Sequence, residues 1–493
     1  MRVYQKSLPL LAVALMCTGS GVSREGEQQR RLGSLTFEPY EYNIEGQSIK
    51  GELGRLLVKE NRRDPKSNLI ELAFVRLKGT AAIPGQPTIY LEGGPGSSAI
   101  SLARFPNYMR AFTKLREIGD VILLDQRGAG LSRPNLTRLS AQSLPVDFFS
   151  DQATALRIVK ERSREAAEYF RKQGVDLREY NSAASADDVD EVRQALGVDK
   201  VNLVGFSYGT HLALAVIRRH GDHVNRVALI GTEGPNHTQK LPSTSKKQIE
   251  TISKLAARDP RIGALVPDLA GLMKRVFDRL EKEPATVRIT DRRTNKPIDL
   301  KVGKFGLQLI TMIDLGDTSD LPVFPALFYT IDKGNYSILA RFLDKRYNQF
   351  SAGIPVMMEV MDSSSGATPE RQAQIEREAK TSLLGNVMNF LDVGEVFDNP
   401  DLGDEFRSPI RTNVPTLFIS GTLDNNTPPF QADEVRRHFK QSTHIVLENA
   451  GHEDMLVNQR VQQTIGDYFR GRDVSRVKIA LPNLRFLAIP DAK

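Results

Sequence analysis

The chain has 493 residues, 40% hydrophobic and 26% charged, with a net charge of +7. That composition gives a globular protein with room for a large core plus an insertion, and it excludes a disordered chain; no dense Lys/Arg block with interleaved aromatics points to nucleic acid. The single cysteine, Cys17, excludes an intrachain disulfide and a cysteine-based metal site, and neither an H-E-x-x-H nor a phosphate-loop pattern occurs, so no metal and no cofactor are expected.

The N-terminus reads as an export signal over residues 1–21. Arg2 and Lys6 precede an apolar run at 8–16, too short to span a bilayer, and small residues follow at 18–21. The expected destination is the periplasm or the medium. Cys17 stands where a lipid-modified cysteine would stand, which adds a membrane-anchored lipoprotein to the expectations, although Met16 fits such processing poorly. No later segment has the length of a membrane span.

A polar linker at 22–33 leads to three β-like stretches, 34–42, 49–59 and 68–78, which predict an antiparallel start to a sheet. Residues 87–91 form a short buried strand running into Gly93-Gly94-Pro95-Gly96. A helical pattern spans 99–118, then a strand at 120–124 ends in Asp125-Gln126-Arg127. Asp125 and Arg127 are expected to form a structural ion pair. Helices are predicted over 151–173 and 185–196, the second capped by Ser185.

Residues 201–220 come next. Gly205-Phe206-Ser207-Tyr208-Gly209 fits G-x-S-x-G, with an apolar strand-like run before it and a helix-forming run after it. Strand, sharp turn and helix is the context that a nucleophile elbow requires, so Ser207 is the candidate nucleophile. Another strand follows at 224–231. Strands alternating with helices imply α/β architecture, a mostly parallel sheet covered by helices on both faces.

The alternation then stops. Residues 236–408 are mainly helical in pattern, apart from a β-like patch at 285–302, and read as a large cap insertion. The sheet core is therefore expected in two parts, 34–235 and 409–493. Strands resume at 415–420 and 443–447, with helices at 429–439 and 457–469 and a possible terminal strand within 474–489.

A serine hydroxyl needs a base, and the base needs an orienting acid. Asp424 and His452 both lie just past predicted strand ends, in the order Ser, Asp, His, and are the expected acid and base. His444 is a rival base but sits inside a strand; His211 and His220 read as ordinary helix residues. A developing oxyanion needs donors, and the amides of Gly94 and Tyr208 are the candidates.

The motifs GGPGSS at 93–98, DQRGAGLS at 125–132, GFSYGT at 205–210, GTLDNNTP at 421–428 and ENAGHE at 448–453 together resemble the proline iminopeptidases and tripeptidyl aminopeptidases of the α/β-hydrolase superfamily. The resemblance covers about 85–240 and 410–470, and the large cap is closer to the tripeptidyl aminopeptidase branch. It implies an α/β-hydrolase fold and a serine exopeptidase that removes residues from peptides with a free N-terminus through an acyl-enzyme. Two departures stand out: Glu92 takes the place where iminopeptidases usually begin His-Gly-Gly-Pro, and the chain has no tryptophan. Cap carboxylates hold the substrate ammonium in this family, and Glu359 and Asp362, three residues apart, are the candidates; a solvated helix face above a Met-lined core is the plainer alternative. A carboxylesterase of the same fold would use the same triad. A catalytically silent member acting as a binding protein is the alternative from another class.

Overall fold

A computed structural model describes residues 31–390 and 393–489. The expected signal segment and Cys17 lie outside the described residues. Ten strands form one sheet: β1 (Leu35–Ile44), β2 (Gln47–Lys59), β3 (Leu69–Leu77), β4 (Thr88–Leu91), β5 (Val121–Asp125), β6 (Val201–Phe206), β7 (Val224–Ile230), β8 (Thr416–Gly421), β9 (Ser442–Glu448) and β10 (Ile479–Ala480). Their order is β1-β2-β3-β5-β4-β6-β7-β8-β9-β10. The first three and the β3–β5 pair are antiparallel, and every neighbour from β5 onward is parallel. The predicted antiparallel start and parallel remainder are both present.

Burial explains this layout. Every residue of β4, β5, β6 and β8 is buried, as parallel strands covered on both faces require. Successive side chains face opposite layers: Leu203 joins one apolar cluster and Val204 the other. The β1 strand is mostly exposed at the sheet edge.

Local rules adjust the predicted helices. The 99–118 pattern divides into Ala99–Leu102 and α1 (Pro106–Leu115), because Pro106 favours a first-turn position. Asp151 caps α2 (Gln152–Lys172) through the Thr154 amide. The cap of α3 (Ser182–Ala195) is Asn181, accepting from Ala184, whereas Ser185 lies inside the helix. From 474–489 only β10 pairs with the sheet.

No described strand between β7 and β8 joins this sheet. That stretch holds helices at Pro242–Arg258, Leu269–Lys282, Lys304–Asp314, Phe324–Asp332, Ser337–Ala352 and Pro369–Ala379, together with α4 (Val356–Ser365). The β-like patch is a hairpin, Ala285–Asp291 with Lys296–Val302. Apolar residues of these helices, among them Leu272, Val276 and Phe328, are continuous with the core on one face of the sheet. The segment is fused to the sheet layer rather than tethered to it.

Candidate active site

Ser207 sits between β6 and the helix Tyr208–His220, with φ 53° and ψ −126°. That backbone costs a non-glycine residue about 1–3 kcal/mol and persists only where the surroundings enforce it. Here the Ser207 amide donates to the Ile230 carbonyl at 2.9 Å, and the Ser207 carbonyl accepts from the Thr210 amide at 2.8 Å. The turn also demands glycine. A Cβ at Gly209 would lie 2.0 Å from the Leu91 carbonyl oxygen, and one at Gly93 would lie 2.7 Å from the Ser207 Cβ and 3.4 Å from its Oγ. The Gly93-Gly94 turn is therefore packed directly on the serine.

Asp424 and His452, 28 residues apart, meet at the ends of β8 and β9: Asp424 Oδ2 lies 2.9 Å from His452 Nδ1. Burial opposes charge on His452, but the charge and hydrogen bond of Asp424 outweigh it and hold the imidazole above its ordinary value. Burial likewise pushes Asp424 up, and His452 and Thr427 overcome it, leaving the carboxylate below its usual range. The His452 ring lies 5.0 Å from the ring of Phe206, the residue before the serine. The His452 amide donates to Gly316 O at 3.2 Å.

Thr427 was not singled out from the sequence. Its hydroxyl is 2.6 Å from Asp424 Oδ2 and 3.1 Å from His452 Nδ1. Asp424 Oδ1 accepts from the amides of Asn426 and Thr427 at 2.8 and 3.0 Å. A turn aspartate with a hydroxyl three positions on was the available signal.

Gly94 has φ +47° in the turn beside Ser207, and Tyr208 opens the helix, where a first-turn amide has no intrahelical acceptor. Both oxyanion candidates thus flank the serine. Glu92, just before this turn, is buried, and its carboxyl accepts from the Tyr90 hydroxyl.

The helical segment meets this turn through Met357 of α4. Cβ atoms built at Gly96 and Gly128 would lie 2.6 Å from its Cβ and 2.3 Å from its Sδ. Asp362, on the same helix, is half-buried. Burial pushes the Tyr208 phenol up, and the charges of Asp362 and Glu233 add to that rise. Glu359 departs from expectation. It is buried, accepts from the Ser163 hydroxyl of α2 at 2.9 Å, and burial pushes it up to about 8. A carboxyl neutral at pH 7 is a poor receptor for a cation.

The expected Asp125–Arg127 ion pair does not form. Asp125 takes Ser98 Oγ and the amides of Ile100 and Leu131. Arg127 clamps Asp188 at 2.6 and 2.7 Å and donates to the carbonyls of Glu60 and Glu179. Each organises a different loop. His444 binds Asp433 and Ser420, and His220 binds Asp187. His211 is buried between Gly234 O and Ser365 Oγ. Among the described residues, no group of three or more His, Cys, Asp or Glu is placed to hold a metal ion, and no helix is long and apolar enough to cross a membrane.

Two family models match the chain: one described as alpha/beta hydrolase fold over residues 87–282, the other as TAP-like protein over residues 399–476. Among curated proteins, a tripeptidyl aminopeptidase of Streptomyces lividans is 29% identical over 38% of this chain and 36% of its own length. The serine protease Hip1 of Mycobacterium bovis is 29% identical over 37% of this chain and 36% of its own length. A proline iminopeptidase of Heyndrickxia coagulans is 28% identical over 41% of this chain and 56% of its own length. The chain thus spans about a third of the first two relatives and somewhat over half of the third. It has the α/β-hydrolase fold, and its resemblance to the proline iminopeptidases and tripeptidyl aminopeptidases stands.

Proposed function

We propose that this protein is a serine aminopeptidase that cleaves peptides from a free N-terminus through an acyl-enzyme. The observation that carries the proposal is the Asp424–His452 pair at 2.9 Å, its imidazole 5.0 Å from the ring of Phe206, the residue before a serine held at φ 53°. In this reading Ser207 Oγ attacks the scissile carbonyl while His452 takes its proton and returns it to the leaving amine. Asp424 fixes the tautomer that leaves His452 Nε2 free to act as base, and Thr427 steadies that carboxylate. The amides of Gly94 and Tyr208 hold the developing oxyanion. Water then releases the acyl group by the same route in reverse.

The segment 236–408 is assigned as the cap, and Asp362 as its receptor for the substrate ammonium. It is half-buried on the helix whose Met357 packs on the core turns at Gly96 and Gly128, whereas Glu359 is occupied with Ser163. The 1–21 segment supports export to the periplasm or beyond, with Cys17 as the point of any lipid anchor. A carboxylesterase would share the triad and differ in needing no amine. N-acetylation of a peptide arylamide separates the two readings. The aminopeptidase loses turnover on the acetylated substrate, whereas equal rates on free and acetylated forms would overturn the assignment.

A further inference from the structure

Besides Met357, the helical segment touches the candidate site through the turn that follows the helix Lys304–Asp314. Both ends of this turn are fastened from within the segment. The Lys345 ammonium lies 3.1 Å from Asp314 Oδ1 and 3.0 Å from Asp320 Oδ2, and Arg346 Nε donates to Asp314 Oδ2 at 3.2 Å. Asp314 is fully buried, so these two cations hold its charge in place of water. Between the two anchors, residues 315–318 meet the turns that follow β8 and β9. On the β8 side, buried Gln248 of the helix Pro242–Arg258 donates from Nε2 to two carbonyls, Leu315 at 2.9 Å and Leu423 at 2.6 Å. Leu423 directly precedes Asp424. A Cβ built at Gly316 would lie 2.8 Å from Asn426 Nδ2, and the Asn426 amide is one of the donors to Asp424.

On the β9 side, the Gly316 carbonyl accepts from the His452 amide at 3.2 Å. Thr318 Oγ1 donates to Asp454 Oδ2 at 2.7 Å, and the same oxygen accepts from the Gly451 amide at 2.8 Å. His452 is thus flanked by one residue on each side that is tied to this turn. The contact is close: a Cβ at Gly451 would lie 2.6 Å from Thr318 Cγ2, so glycine is needed there. We infer that the 315–318 turn holds Asp424 and His452 in register, with Gln248 and Thr318 as positioning residues. Gln248 fixes the turn against the loop of the acid, and Thr318 fixes it against the loop of the base. This rests on the reading of Asp424 and His452 as acid and base. The two come from different strands, and the turn is bonded to both of their loops. A base must lie within hydrogen-bond reach of the proton that it takes, so a small shift of either loop slows the reaction.

The test is the rate at which a fluorophosphonate labels Ser207 in folded protein, which needs no knowledge of the natural substrate. Thr318→Val keeps the shape and removes the hydroxyl, and labelling slows about fivefold, the worth of one neutral hydrogen bond. Thr318→Ser, which keeps the hydroxyl, restores the wild-type rate. Gln248→Met removes both donations and slows labelling about tenfold; Thr318→Val serves by itself if that variant does not fold. A residue that only stabilised the fold would lower the unfolding temperature and leave the labelling rate of folded protein unchanged. That result, or Thr318→Ser as slow as Thr318→Val, would overturn the inference while the labelled wild type upholds the reading of Ser207 and His452. A folded wild-type protein that is not labelled would overturn that reading and the inference with it.

Discussion

The sheet core and the helical segment between β7 and β8 divide the work unequally. In the core, the candidate groups stand at strand ends: Ser207 after β6, Asp424 after β8, His452 after β9 and Gly94 after β4. Their geometry follows from a buried sheet and a few short turns, so little freedom remains. The helical segment carries no comparable turn motif. It meets the site at the Gly316 carbonyl, which accepts from the His452 amide, and through α4, where Met357 rests on the glycines of two core turns. On the proposed function, backbone constraints in one region would fix the chemistry, and side-chain packing in the other would select the acyl group. The core should therefore tolerate no substitution at its polar groups, while the cap should shift preference without abolishing the reaction.

The largest effect tests the core. Asp424→Asn keeps the shape but loses the charge that sets the His452 tautomer, and turnover should fall about 10⁴-fold with folding retained. A loss under tenfold, measured on a peptide arylamide, would remove Asp424 from the mechanism. The cap gives a smaller effect. Asp362→Asn should lower kcat/KM for free-amine peptides about 10–100-fold, the worth of one hydrogen bond to a charged group. The loss should appear mainly in KM, and the rate on N-acetylated arylamides should stay as it was. Equal losses on both substrates would make Asp362 structural and blur the division between the regions.

The same division governs what could be read from residue order. The places of Ser207, Asp424, His452 and Gly94 just past strand ends were legible, because each candidate role needs particular residue types there. The G-x-S-x-G spacing reflects a real clash, since Gly209 faces the Leu91 carbonyl. Thr427 was less visible, because a threonine in an Asx turn has many ordinary uses. Side-chain partners chosen by tertiary contact were not legible. Asp125 and Arg127, two residues apart, read as a pair, yet the fold sends them to Ser98 and to Asp188. Glu359 and Asp362 share a helix and looked alike, and only the position of α2 makes the first a buried neutral acid. Glu92 read as a departure from a family motif; its phenol partner two residues earlier explains how a carboxyl is accommodated there.

The central claim is that Ser207 is a nucleophile activated by His452. It is tested most directly by treating the folded protein with a fluorophosphonate probe and mapping the modified residue by mass spectrometry. One covalent adduct on Ser207, absent in Ser207→Ala and strongly slowed in His452→Ala, is the predicted result. A folded wild-type protein that stays unlabelled, or a label on another residue, would contradict it.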